Sequence, residues 1–238
     1  MHKNHKHEIL LVLFLSLGAS AIYSTLSLVR KVISEQGLAG SKTVINQAIT
    51  PIPWLDLIYQ LVAISLALVP VLLALYLLRQ DGISIGLVPC WSDLKLAVLI
   101  SMAIGIPGIA LYFLALQLGL TSQVVPSNLG DYIWTVPLLL LSALRSGLQE
   151  EVIVVGFLIS KLKLSYPKLT LVGLILISAG IRASYHSYQG FSAVLGNFIM
   201  GVVFALVFLK TNRVAPLVIA HTLMNSVVFI GYPLLGSA

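Results

Sequence analysis

The chain has 238 residues, of which 58% are hydrophobic and only 9% are charged, and its one cysteine is Cys90. Soluble domains carry about 25% charged residues, so this composition excludes a soluble globular fold as well as a disordered or disulfide-stapled chain. The net charge of +6 does not indicate a nucleic-acid partner, because the basic residues form no stripe with interleaved aromatic residues. Composition therefore predicts an integral membrane protein with several spanning segments.

Seven apolar runs are candidates for transmembrane helices, which need about 20 residues each. In chain order they are Ile9–Val29, Leu57–Leu78, Leu96–Leu120, Tyr132–Ser160, Leu169–Tyr185, Phe191–Leu209 and Val214–Tyr232. No linker or internal repeat divides the chain. The runs predict an all-α, polytopic transmembrane helical bundle of about seven spans. We divide it into an N-terminal transmembrane region of three spans, residues 1–131, and a core of four spans, residues 132–238.

The basic residues predict the orientation of these spans, because cytoplasmic loops are enriched in Lys and Arg. With the N-terminus inside, the inside segments hold nine basic residues, namely Lys3, Lys6, Arg79, Lys95, Lys161, Lys163, Lys168, Lys210 and Arg213. The outside segments hold three, Arg30, Lys31 and Lys42. We therefore predict a protein of the bacterial plasma membrane, in contact with membrane lipids, with a cytoplasmic N-terminus and an external C-terminus. A cleaved signal peptide is the alternative for the first run, because a basic start and Ala19-Ser20-Ala21 resemble a signal sequence.

Ionisable residues well inside the spans occur only in the second half of the chain, and such residues are costly in a membrane and often functional. The fourth run contains Gln149-Glu150-Glu151. Adjacent side chains on a helix point about 100° apart. We therefore expect one carboxylate to face a central cavity and the other to pair with a cation on a neighbouring helix. The cavity carboxylate is suited to act as a general base, and a purely structural ion pair is the alternative.

Two further pairs of polar residues are spaced four positions apart, so each pair lies on one face of its helix. Arg182 and His186 end the fifth run; the first could pair with a glutamate and the second could orient or deprotonate a water. His221 and Asn225 lie in the seventh run and could donate hydrogen bonds to one point, as an oxyanion hole does. If the helices stood upright, however, His186 would lie about 10 Å further out than Glu150. The active-site hypothesis requires that the two residues nevertheless meet.

Glu150-Glu151, His186 and His221-x-x-x-Asn225 occur in the order of three motifs known from one protein family. The segment 139–228 resembles the CPBP intramembrane proteases, which include the type II CAAX prenyl proteases and the bacterial bacteriocin-processing and immunity (Abi) proteins. The family motifs are Glu-Glu-x-x-x-Arg, Phe-x-x-x-His and His-x-x-x-Asn. Each motif alone is common, but the three together at this spacing are fairly specific.

This sequence departs from the family pattern at two positions. Val155 occupies the place of the arginine in the first motif, and Arg182 occupies the place of the phenylalanine in the second. One cation has been lost from one helix and another has appeared on the next. We expect that Arg182 replaces the missing arginine and pairs with Glu151 from the neighbouring helix.

The resemblance implies an intramembrane endopeptidase that hydrolyses a peptide bond of a membrane-associated protein or peptide. In that mechanism Glu150 would activate a water with help from His186. His221 and Asn225 would hold the developing oxyanion, and Glu151 would be structural. No cofactor is expected, although the family has often been described as metalloproteases. Zinc bound by Glu150, His186 and His221 is the alternative.

Two other functions are also compatible with the sequence. A catalytically silent relative could act as a membrane binding or immunity protein, and Val155 in place of the motif arginine motivates this alternative. A transporter or proton relay would also place ionisable residues in the membrane. The chain lacks the repeat symmetry of many transporters, which makes that second alternative the weaker one. The sequence does not identify the substrate or the oligomeric state.

Overall fold

The computed structural model describes residues 5–231, and in that range the chain forms seven helices and two short strands. The helices are α1 His5–Ile33, α2 Pro53–Gln80, α3 Trp91–Gln117, α4 at residues 135–165, α5 Leu171–Tyr185, α6 Phe191–Thr211 and α7 Ala215–Gly231. A 3₁₀ turn, Ser187–Gln189, connects α5 to α6. Each helix overlaps one of the seven apolar runs, so the predicted all-α helical bundle is confirmed.

Four of these helices, α1, α2, α3 and α6, are long and apolar enough to cross a membrane by length and composition. Helices α5 and α7 are apolar but shorter, at about 22–26 Å against a hydrocarbon core of about 30 Å. Helix α4 is long but carries the polar residues of the candidate site. Many large apolar side chains face outward, such as Leu66 at 64% and Phe14 at 63% exposure. Such an apolar exterior is expected where the surrounding solvent is lipid.

A small sheet, which the sequence analysis did not predict, lies at one end of the bundle. Strand β1, Lys42–Asn46, pairs in parallel with strand β2, Gln123–Ser127. Both strands follow helices that arrive at this end. The buried Lys31 of α1 joins them, since its Nζ donates to Thr43 Oγ1 at 2.5 Å and to Ser122 Oγ at 3.3 Å. We call this the Lys31 end.

The opposite end is held together by a second buried lysine and is called the Lys161 end. Lys161 of α4 is fully buried and donates to Glu8 of α1 and to Asp81 beyond α2. Nδ1 of His5 is 3.4 Å from the same ammonium. The sequence analysis counted Lys161 in the inside segment after the fourth run, whereas in the structure it lies within α4. Helix α4 continues past it to Ser165, and two carboxylates compensate its charge inside the bundle.

One hydrophobic core joins the first three helices to the last four. It includes Val12 of α1, Ala74 of α2, Val155 of α4 and Phe204 of α6, none of which is exposed. Helices α5 and α6 pack closely because α6 has a glycine, Gly201, at the contact. A Cβ at that position would lie 2.7 Å from a backbone carbon of α5. This contact fixes the face of α5 that carries the arginine of the candidate site.

Candidate active site

The hairpin of α4 and α5 brings Glu150 next to His186. Helix α4 ends at Ser165 and α5 begins at Leu171. Glu150 and His186 are each fifteen residues from the turn, or about 22 Å along their helices. His186 Nε2 accordingly lies 3.2 Å from Glu150 Oε2. The expected offset in depth is absent. It assumed helix ends at Lys161 and Lys168, whereas α4 continues to Ser165 and α5 begins only at Leu171.

Helix α4 changes its winding at the two glutamates. The regular α-helix ends at Glu150, and Glu151–Phe157 is a π-helix. Short π segments are rare and are frequent at functional sites. A π-helix has more residues per turn than an α-helix, so neighbouring side chains diverge less. This winding helps both carboxylates to reach the same partner on α5.

That partner is Arg182, which is fully buried between the two carboxylates. Its Nη2 donates to Glu151 Oε2 at 2.5 Å, and its Nη1 donates to Glu150 Oε2 at 3.4 Å. The guanidinium also lies over the ring of Phe204, 5.2 Å from its centroid. The expected pairing with Glu151 is thus present, but the expectation that only one carboxylate meets the cation was too narrow. The position of the missing motif arginine, Val155, is fully buried in the hydrophobic core.

Glu150 uses one oxygen for its protein contacts and keeps the other free. Oε2 accepts a hydrogen bond from the hydroxyl of Tyr185 at 2.9 Å, in addition to its contacts with Arg182 and His186. Oε1 accepts no hydrogen bond from any residue in the range 5–231. The sequence analysis missed Tyr185. The sequence feature that could have indicated it is its position at the end of a span, directly before His186. A tyrosine hydroxyl that is buried there usually needs a hydrogen-bonding partner.

His221 contacts the second glutamate rather than the first. Its Nδ1 lies 2.6 Å from Glu151 Oε1, and both side chains are buried. Glu151 therefore holds Arg182 with one oxygen and His221 with the other. This contact orients the imidazole through Nδ1 and leaves Nε2 free of the glutamate.

Asn225 follows His221 by one helical turn on α7. It is partly buried, and its side chain makes no hydrogen bond within the described part of the chain. The approach of α7 to α4 depends on Gly147, where a Cβ would lie 2.7 Å from Thr222 Oγ1 and 2.9 Å from the carbonyl oxygen of Val218. A larger residue at that position would move His221 and Asn225 away from α4.

The site also contains a group of possible metal ligands. Atoms of Glu150, Glu151 and His221 lie within 4.8 Å of one another. This group differs from the expected zinc set, because it contains Glu151 in place of His186. The guanidinium of Arg182 already contacts both carboxylates, and it would repel a second cation at this position. The residues present therefore fit a charge-compensated pair of carboxylates better than a zinc centre.

The fold and the buried polar cluster define a class of protein, a polytopic α-helical membrane protein with a site built inside its helices. Residues 132–227 match the family model described as Type II CAAX prenyl endopeptidase Rce1-like. The matched segment contains all the glutamate, arginine, histidine and asparagine residues of the candidate site. The match confirms the resemblance to CPBP proteases and covers 96 of the 238 residues of this integral membrane protein. No curated protein and no solved structure gives a significant match to the chain.

Proposed function

We propose that this protein is an intramembrane endopeptidase that hydrolyses a peptide bond of a membrane-associated protein or peptide with a water activated by Glu150. The observation that carries the proposal is the contact of Glu150 with His186 at 3.2 Å, made between two helices of the segment that matches the Rce1-like family model. A general base must lie within hydrogen-bonding reach of the proton it takes. The free Oε1 of Glu150, whose side chain is 11% exposed, is the atom suited to that role.

The reaction would proceed by direct attack of water, without a covalent intermediate. Glu150 Oε1 takes a proton from the water while the water oxygen bonds to the peptide carbonyl carbon. The carbon–nitrogen bond then breaks, and the proton passes from Glu150 to the leaving amine. Tyr185 and His186 hold the other carboxylate oxygen in place. The exposed Cys90 lies outside the motifs and takes no part.

His221 and Asn225 are proposed to stabilise the oxyanion of the tetrahedral intermediate. His221 Nδ1 is engaged by Glu151, so Nε2 can donate only when the ring is protonated. A doubly protonated imidazole would supply the first of the two donors. Asn225, which has no competing hydrogen bond in the described chain, would supply the second donor.

The proposed reaction needs no metal, because Arg182 already supplies a positive charge at the carboxylates. Divalent-ion chelators should therefore leave the rate of peptide cleavage unchanged. Loss of activity that returns with zinc would instead favour a metal site at Glu150, Glu151 and His221.

We further propose that the Lys161 end faces the cytoplasm of a bacterial cell. The excess of basic residues at this end supports that orientation. The exposed thiol of Cys90, just before α3, allows a direct test. A membrane-impermeant maleimide should label it only after the cells are permeabilised. Labelling in intact cells would reverse the orientation.

The catalytic proposal is tested by comparing the protein termini of membrane fractions from four strains of the producing organism. The strains carry the wild type, a deletion, or the deletion complemented with Glu150→Gln or Glu35→Gln. Glu35 is exposed on the segment after α1 and is a matched control for the same chemical change. We expect certain termini to be absent from the deletion and Glu150→Gln strains and present in the other two.

Other outcomes would contradict the proposal in different ways. If the Glu150→Gln strain has the wild-type termini, activation of water by Glu150 is wrong. If all four strains have the same termini, while Glu150→Gln rescues a deletion phenotype, the protein acts as a non-catalytic membrane partner. The termini that disappear would also identify the substrate.

A further inference from the structure

Arg145 is a cation of α4 that the proposed hydrolysis does not use. It lies ten residues after the start of α4 at Thr135, or about 15 Å along the helix. That distance is too long for its side chain to reach the surface at the Lys31 end by extending along the helix. Arginine at this depth is unfavourable unless it faces a polar partner or a cavity, and such residues commonly mark functional sites.

The hydrogen-bonding capacity of Arg145 is largely unused. Its Nη1 donates to Gln149 Oε1 at 3.2 Å, and its Nε is buried without a partner. No carboxylate lies within 4 Å of the guanidinium in the part of the chain that the structure describes. A guanidinium has five N–H donors and pairs best with a planar anion. Arg145 is therefore a half-buried cation of α4 with free donors.

The location of Arg145 relates it to the proposed catalytic base. It precedes Glu150 by five residues on α4, which is a rise of about 7 Å along the helix axis and a rotation of about 140° around it, so it lies nearer the Lys31 end than Glu150 does. Its positive charge is attracted by the carboxylate of Glu150. Glu150 does not neutralise it at close range, because the contacts of that carboxylate are with Arg182, Tyr185 and His186.

We propose that Arg145 binds a carboxylate of the peptide substrate two or more residues from the bond that is cut, on the side of that bond that faces the Lys31 end. The minimum of two residues follows because an extended peptide advances about 3.3 Å per residue and must cover at least the rise of about 7 Å between Arg145 and Glu150 along α4. The carboxylate is either the free C-terminus of the substrate or an acidic side chain, since both offer the same planar anion. This inference rests on the proposed peptidase function and specifies its substrate.

The test measures peptide binding to the full-length protein in nanodiscs made of neutral lipid. The probes are fluorescein-labelled apolar peptides in matched pairs. One pair differs only in a free or an amidated C-terminus, and a series of amidated pairs carries Asp or Asn at successive internal positions. We expect the wild type to bind the carboxylate member of at least one pair about tenfold or more tightly. The pair that shows this preference identifies the source of the carboxylate.

The variants assign that preference to Arg145. In Arg145→Gln the difference in affinity between the carboxylate and amide peptides should disappear. In Arg145→Lys part of the difference should remain, because lysine keeps the positive charge but lacks the planar set of N–H donors of the guanidinium. The control is Arg30→Gln. It removes an exposed arginine of α1 near the Lys31 end of the bundle and should keep the full preference. The inference is overturned if the wild type shows no preference, or if the preference survives in Arg145→Gln.

Cleavage of the same peptides, followed by mass spectrometry, separates this inference from the proposed function. A preference that depends on Arg145, without cleavage of any peptide, supports the subsite and contradicts the peptidase. Cleavage that Glu150→Gln abolishes, without any carboxylate preference, supports the peptidase and contradicts the subsite. We expect Glu150→Gln to bind the peptides with the wild-type preference and to cut none of them.

Discussion

The buried charge of Arg182 is expected to hold the two glutamates together, and its removal should be strongly destabilising. In Arg182→Met, Glu150 and Glu151 would remain inside the bundle without the cation that contacts both of them. Breaking a buried ion pair by removing one partner costs about 3–5 kcal/mol, because the remaining charge is left uncompensated. We expect the free energy of unfolding to fall by that amount.

A double-mutant cycle distinguishes this reasoning from a general loss of packing. Glu151→Gln alone should also be costly, since the fully buried Arg182 then keeps only the longer contact with Glu150. In the double variant both members of the closest pair are neutral. The cost of the double variant should therefore be smaller than the sum of the two single costs, by about 1–3 kcal/mol.

The assay is unfolding in mixed micelles, with SDS titrated into dodecyl maltoside and helix content followed by circular dichroism. Arg79→Gln is the control, because Arg79 is exposed at the end of α2, and its replacement should change the unfolding free energy by less than about 0.5 kcal/mol. Single costs that add to within about 0.5 kcal/mol would refute the proposed coupling of Arg182 to Glu151.

Two further substitutions test the residues that hold the site. Tyr185→Phe removes the hydroxyl that donates to Glu150, so kcat/KM for a cleaved peptide should fall about 10- to 100-fold; an unchanged value would exclude a role for this hydrogen bond in catalysis. Gly190→Ala should lower the free energy of unfolding by about 1–3 kcal/mol, because its φ is 120° and a Cβ would lie 2.7 Å from the Cα of Thr121. Gly37→Ala is the control, since its φ of 63° is strained but no atom lies within 4 Å of the added Cβ; equal costs would exclude the close contact as the cause.

The motifs predicted the residues of the candidate site, but their contacts depend on how the helices are rotated. From the sequence, Arg182 was expected to serve Glu151 alone, whereas it reaches both carboxylates. The π-helix that begins at Glu151 has no signal in the residue pattern that we could use. The catalytic roles of these residues stay predictions until the variants are measured.

The sequence analysis did not predict that two of the lysines are buried. Lys31 and Lys161 were counted with the basic residues of the outside and inside segments, from which the orientation was predicted. In the structure Lys161 closes one end of the bundle. Lys31 binds the backbone carbonyl of Tyr188 at 2.6 Å, in the turn directly after His186. Their roles depend on oxygen atoms supplied from distant parts of the chain, which local patterns do not predict.

The sequence by itself determined that this chain is a bundle of membrane helices, because long apolar runs in lipid must satisfy their backbone hydrogen bonds internally and a helix does so locally. It also determined the order and types of the polar residues in the last four helices. Only the tertiary structure decided which of them meet. Glu150 and His186 come together because α4 and α5 form a hairpin that turns between Ser165 and Leu171, and the register of that hairpin depends on where the helices end.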